Sequence, residues 1–250
     1  MPITAAPLGE RVNQPLLEPG PADRPGRTGV GPGRRGNPFT VPSRPDSEPT
    51  DQAAPDAVLL DLDGTLVDTV YLHVRTWSAA FAEDLDHPVP DWRIHACIGL
   101  PGDRLIRRLL GEVPDEEVRQ RLSRGHRERF LAAAEDGLHP TRGALDLLRD
   151  LDDRGVPHVV ATAAGSEERE ALMAALGNPD IAVTDADDLP GGKPDSSVMH
   201  AAAAQLDADA SHIRMLGDAP WDGHAARAAG LSFVAVRTGG FGDDALRGAG

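Results

Sequence analysis

The chain has 250 residues, enough for one or two domains with a real core. Its net charge of -15 argues against nucleic acid or an anionic membrane as partner, and an anionic substrate would need local positive charge to bind. No apolar run approaches the roughly 18 residues of a membrane span, and one cysteine, Cys97, excludes an internal disulfide or a multi-cysteine metal site. With no charged-then-apolar signal pattern at the N-terminus, cytoplasm is the default location.

Residues 1–55 hold 12 of the 22 prolines and 7 glycines, with six Arg against six Asp/Glu and almost no apolar periodicity. They read as a disordered tail; no clean repeat supports a proline-rich partner motif. From Asp56 the pattern changes. Apolar runs predict strands over 58–60, 156–161, 181–183, 213–216 and 233–236. Helical patterns separate the later strands, over 144–153, 167–176, 196–206 and 224–229. Gly155, Gly177 and Gly230 stand where helix C-terminal caps belong. Repeated strand–helix–strand argues for an α/β fold with a doubly wound parallel sheet.

The stretch between the first two strands differs. Val70, Val74, Trp77, Phe81 and Leu85 fall at helical spacing, as do Leu105, Ile106, Leu109 and Leu110. Pro114 opens another helix with Asp115, Glu116 and Glu117 in its first turn. An all-helical insert this long is no simple connection. It predicts a small helical cap domain over 71–139, above a core made of 56–70 and 140–250. Cys97 is expected to be buried in that cap. Asp68 is the expected cap of the first insert helix, and Thr69 a hinge position.

Four polar pieces stand at the ends of apolar strands. The first is Asp61-Leu62-Asp63-Gly64-Thr65, two carboxylates on a glycine-bearing turn. Acids crowded at a strand end repel each other and call for a cation, a proton or a reaction. The second is Thr162. The third is Gly192-Lys193-Pro194-Asp195, which contains the single lysine among 25 Lys plus Arg. A compact ammonium there suits a place where a planar guanidinium would not fit. The fourth is Gly217-Asp218, with Asp222 four residues on.

Together, in this order and spacing, these pieces resemble the haloacid dehalogenase-like hydrolases, in the subfamily with a helical cap inserted after the first motif. The resemblance covers about residues 56–248. It implies Mg²⁺ bound by Asp61, the backbone carbonyl of Asp63, and Asp218. Asp222 is expected to orient the metal's waters or Lys193. Asp61 would be the nucleophile that forms an aspartyl-phosphate, and Asp63 the acid and then the base. Thr162 would offer its hydroxyl to the transferring phosphoryl group, with Lys193 between Asp61 and a phosphate oxygen. Gly64 would turn the chain off the strand and leave room for substrate.

Asp68-Thr69, His73 and Trp77 are similar to a segment of β-phosphoglucomutases and related sugar-phosphate phosphatases. There this helix faces the active site, which makes His73 a candidate substrate contact. Plain packing of Trp77 with Val74 and Phe81 is the alternative. Two mutase features are missing. The cap loop has Gly102 where an arginine grips the distal phosphate, leaving Arg104 as a displaced substitute. Ala163-Ala164-Gly165 follows Thr162 where mutases have a lysine. The remaining histidines show no metal-ligand pairing and read as individual surface or packing residues. Asp187 and Asp188 read as a solvated loop. Past Arg237-Thr238-Gly239-Gly240, where such cores usually add a strand and a helix, only a short segment to Gly250 remains.

The expectation is therefore a Mg²⁺-dependent phosphatase acting on a small phosphorylated metabolite, a sugar phosphate or a phosphoglycolate-like ester. The protein would be a monomer or homodimer. A sugar-phosphate mutase and a catalytically silent phosphate-binding or regulatory protein are the alternatives.

Overall fold

A computed structural model describes residues 54–184 and 196–250. The proposed tail falls almost wholly outside the described residues, and so do Lys193, Asp187 and Asp188. Strand β1, Ala57–Leu60, is buried along its whole length. It pairs in parallel with β2, His158–Val160, on one side and with β4, Ile213–Gly217, on the other. With β3, Ala182–Val183, and β5, Ser232–Ala235, the sheet order is β3-β2-β1-β4-β5. All pairings are parallel, as the strand–helix alternation predicts.

Alternation along β1 explains how both faces are covered. Ala57 and Leu59 join a core with Met199 of α7, Ser196–Ala203, and Ala225 of α8, Pro220–Ala228. Val58 and Leu60 face the other way, onto Leu148 of α5, Ala144–Asp153, and Leu172 of α6, Ser166–Ala175. A central strand sandwiched this way carries its carboxylates to one sheet edge, where ligands of open α/β sheets bind.

Between β1 and α5 lie α1, Val70–Ala79, α2, Asp91–His95, α3, Gly102–Leu110, and α4, Glu116–Ala134. They share an apolar cluster of their own, including Val74, Phe81, Ile94, Cys97, Ile106 and Leu122. This is the helical cap, and Cys97 is buried in it as expected.

Several boundaries differ from the sequence reading for local reasons. Strand β2 begins at His158, not 156, because Pro157 has no N–H to give the ladder; its carbonyl still accepts from Val58 N at 2.9 Å. Pro220 opens α8 four residues before the expected start, with proline at the first helical positions. Helix α1 does not run unchanged to Leu85: Ala80–Asp84 widens into a π turn. Asp68 does not cap α1. Thr69 holds the N-cap position, and its hydroxyl points elsewhere. The segment after β5 closes with α9, Asp243–Ala249, which the sequence reading leaves out. Among the described residues no helix is long and apolar enough to cross a membrane.

Candidate active site

The turn after β1 places the first two acids. Asp61 N donates to Leu216 O at 2.9 Å, so the sheet pairing continues to the nucleophile candidate itself. Gly64 then takes φ +78°, and its N–H donates to Val67 O at 2.7 Å. A Cβ at Gly64 would lie 2.5 Å from Asp218 Oδ2 and 2.5 Å from Val70 Cγ2. Glycine is thus needed here for the sharp turn and for the close approach of the Asp218 carboxylate. The space expected for substrate is filled by that carboxylate. Gly239 approaches Asp218 from another side, where a Cβ would come within 2.1 Å of Oδ2.

Asp61, Asp218 and Asp222 are all buried, and each brings a carboxylate oxygen within 4.8 Å of the other two. Thr65 Oγ1 donates between two of them, 2.8 Å from Asp218 Oδ1 and 3.1 Å from Asp61 Oδ2. Asp222 Oδ2 also accepts from Ala219 N at 3.0 Å, tying it to the start of α8. Three carboxylates buried this close together repel one another unless positive charge comes among them. An all-oxygen set of this kind suits a hard divalent cation. Asp222 stands among the possible ligands here, beside the expected part of orienting the metal's waters or Lys193. The Asp63 side chain stays out of the cluster, as an expected contribution through its backbone carbonyl requires.

Asp63 turns toward the cap. Its Oδ1 accepts from Thr69 Oγ1 at 2.8 Å and meets His73 Nε2 at 2.9 Å. Thr69, placed as a hinge by the sequence, is fully buried in the segment that crosses to the cap. The returning segment pairs with it: Asp68 N donates to His139 O, and Thr141 N to Leu66 O, both at 2.9 Å. Thr141 Oγ1 donates to Thr65 O as well. The two crossing segments therefore hold the acid turn directly.

Thr162 is buried at the end of β2, and its Oγ1 accepts from Ala164 N at 3.1 Å. It faces the same cavity as Asp61, Asp63, Asp218 and Asp222, a space of about 710 Å³ between core and cap. The structure thus brings together every candidate within the described residues; Lys193 and its loop lie outside them.

The cap wall of the cavity holds Trp77 and His126. Trp77 lines the cavity and stacks at 4.2 Å on His126, besides packing near Phe81. His126 is not an isolated packing residue. Its Nε2 lies 3.0 Å from His73 Nδ1, and its Nδ1 lies 3.7 Å from Glu168 Oε1 on α6. Burial lowers the His73 pKa, but the carboxylates of Asp63, Glu168 and Asp61 together outweigh it, and the net shift is upward. Burial, with the His73 charge second, drives His126 well below the ordinary histidine value. Burial raises Glu168 against the pull of His73. One signal for His126 was present: Leu122, His126 and Phe130 recur every fourth residue, which puts the histidine on the buried face of α4.

The haloacid dehalogenase-like hydrolase profile matches residues 55–230. The chain belongs to the haloacid dehalogenase-like hydrolases. It is 32% identical over 187 residues to a phosphoglycolate phosphatase of Caulobacter vibrioides, covering 73% of this chain and 79% of that one. A hydrolase from Pseudomonas syringae superposes with a TM-score of 0.74 at 32% identity, covering 78% and 90%. CbbY from Rhodobacter sphaeroides, solved in complex with xylulose-(1,5)bisphosphate, gives a TM-score of 0.61 at 26% identity, covering 72% and 85%. The chain is an enzyme of this hydrolase family, of the phosphatase kind, and hydrolases of that kind generally use a divalent metal.

Proposed function

We propose that the protein is a Mg²⁺-dependent phosphatase that hydrolyses a small phosphomonoester through an aspartyl-phosphate on Asp61. The observation that carries this reading is the buried Asp61, Asp218 and Asp222 cluster, facing the same cavity as Asp63 and Thr162. Asp61, Asp218 and Asp222 would hold the cation. Bound there, it would offset the repulsion between carboxylates and a phosphate dianion.

The residues of the chain do the rest. An Asp61 oxygen attacks phosphorus while the bond to the leaving oxygen breaks, and Asp63 gives its proton to that oxygen. The alcohol departs. Asp63, now a carboxylate, takes a proton from water. The resulting oxygen attacks phosphorus, the bond to Asp61 breaks, and phosphate is released. Thr162 and Lys193 are assigned to the phosphoryl oxygens.

The cap side suggests the rest of the substrate. Arg104 and Arg107 of α3 and Arg127 of α4 line the cavity from the cap, Arg127 also lying 3.4 Å from Glu167. In a chain of net charge -15 this is the local positive charge that an anionic metabolite requires. An ester with a second negative group, such as the carboxylate of phosphoglycolate, fits that wall better than a neutral sugar phosphate. The name of the Caulobacter relative agrees with this. The partner in this reading is a small metabolite.

A panel of phosphomonoesters with Mg²⁺ tests the reading. Phosphate release should be fastest with 2-phosphoglycolate among the panel and should vanish on chelation. Interconversion of glucose 1- and 6-phosphates without net phosphate release would make the protein a mutase. Phosphate binding with no turnover of any ester would make it the silent regulator.

A further inference from the structure

Four polar groups form a line from the acid turn into the cap and back to the core. Asp63 Oδ1 lies 2.9 Å from His73 Nε2, His73 Nδ1 lies 3.0 Å from His126 Nε2, and His126 Nδ1 lies 3.7 Å from Glu168 Oε1. Both nitrogens of His73 are hydrogen-bonded, and His126 places Nε2 on His73 and Nδ1 within ion-pair range of Glu168. Asp63 follows β1, His73 stands on α1, His126 on α4 and Glu168 in the first turn of α6. The line therefore runs core, cap, cap, core, and it is whole only where cap and core meet as they do here.

The rings sit in an aromatic stack. Trp77 lies 4.2 Å from His126, His126 lies 5.2 Å from His73, and His73 lies 4.5 Å from Phe130. For packing alone a Phe at 126 would serve, without burying two ring nitrogens. The nitrogens earn their place only through their partners, and those partners lead to Asp63.

Hydrogen counting shows what Glu168 contributes. The contact between the two rings holds one hydrogen, so the tautomer of one ring dictates that of the other. At 3.7 Å Glu168 is too far from His126 for a hydrogen bond and acts on it as a negative charge. That charge favours the tautomer of His126 with its hydrogen on Nδ1, so that Nε2 accepts and His73 donates from Nδ1. Without that charge, His126 can carry its hydrogen on Nε2 and donate to His73. Both hydrogen bonds of the line, the one between the rings and the one at Asp63, then reverse. Glu168 sets the polarity of the line.

We propose that Glu168 and His126 are positioning residues for Asp63. Acting through His73, they hold its carboxyl in the orientation that delivers a proton to the leaving oxygen. This rests on the phosphatase reading above, with Asp63 as the acid.

Leaving-group dependence separates this role from a merely structural one. An alkyl ester such as 2-phosphoglycolate needs its leaving oxygen protonated; p-nitrophenyl phosphate does not, because p-nitrophenolate leaves unaided. Since kcat/KM reports the steps through loss of the leaving group, Glu168→Gln should lower it about tenfold for the best alkyl ester. That is a part of the ~10²–10⁴ that a positioned acid contributes. For p-nitrophenyl phosphate it should fall less than about twofold. His126→Phe, which keeps the stack, should give the same selective loss, and the double variant should lose no more than His126→Phe alone. Ring-nitrogen NMR of Glu168→Gln should show changed His73 and His126 signals, a readout that needs no turnover. Equal losses on both esters, no loss on either, or additive losses in the double variant would overturn the proposal. If the wild type turns over neither ester, the phosphatase reading itself fails; selective loss with unchanged histidine signals would leave that reading standing and sink this one.

Discussion

Asp61→Asn is expected to lower kcat by about 10⁴-fold or more while the fold persists. Removing a nucleophile that acts in concert with its neighbours abolishes nearly all chemistry, leaving what binding alone provides. Asn matches Asp in shape, and its side-chain carbonyl can still accept from Thr65 Oγ1, which lies 3.1 Å from Asp61 Oδ2. The substitution also removes one negative charge from a cluster packed within 4.8 Å. Inorganic phosphate, itself an anion, should therefore bind the variant at least as tightly as the wild type, as competition with a fluorescent phosphate analogue would show. Turnover near the wild-type rate would mean that Asp61 does not attack phosphorus.

Asp63→Asn should separate the two halves of the reaction. Loss of the acid is expected to slow alkyl esters by about 10²–10⁴-fold. With p-nitrophenyl phosphate the first half needs no acid and should proceed. The second half still needs a base to activate water. A rapid-mixing experiment should therefore show a burst of p-nitrophenolate close to one per enzyme, followed by a slow phase. A linear time course from the start, at a rate like the wild type, would remove Asp63 from the base role. The geometry that motivates this is specific. The Asp63 carboxyl turns away from the acid cluster to Thr69 at 2.8 Å and His73 at 2.9 Å, so it is the carboxyl left for proton transfer.

The acid turn was legible because its information is local. An apolar run ends, two acids follow with a glycine between them and the next helix, and a parallel strand end can put them in only one place. Asp218 and Asp222 were legible for the same reason at β4. The need for glycine at 64 was also visible, but its cause was not. The atom it makes room for belongs to Asp218, which reaches it only through strand pairing. The Asp68 expectation failed because α1 starts one residue later than it requires: Thr69 holds the N-cap position, and its hydroxyl donates to Asp63. His126 and Glu168 could not be paired from sequence. Their contact depends on α4 crossing both α1 and α6, and nothing in the spacing of either helix states that crossing. Periodicity located His126 on a buried face, and burial of a histidine is an incomplete clue until its partners are seen.

The most direct test of the central claim is to find the phosphoryl group on Asp61. An acyl phosphate is reduced by borohydride to the alcohol, which converts the aspartate side chain to that of homoserine. Enzyme quenched with borohydride during steady-state turnover, then digested and fragmented in a mass spectrometer, should carry homoserine at position 61. Homoserine at another acid, or intact Asp61 under conditions of full turnover, would contradict the account.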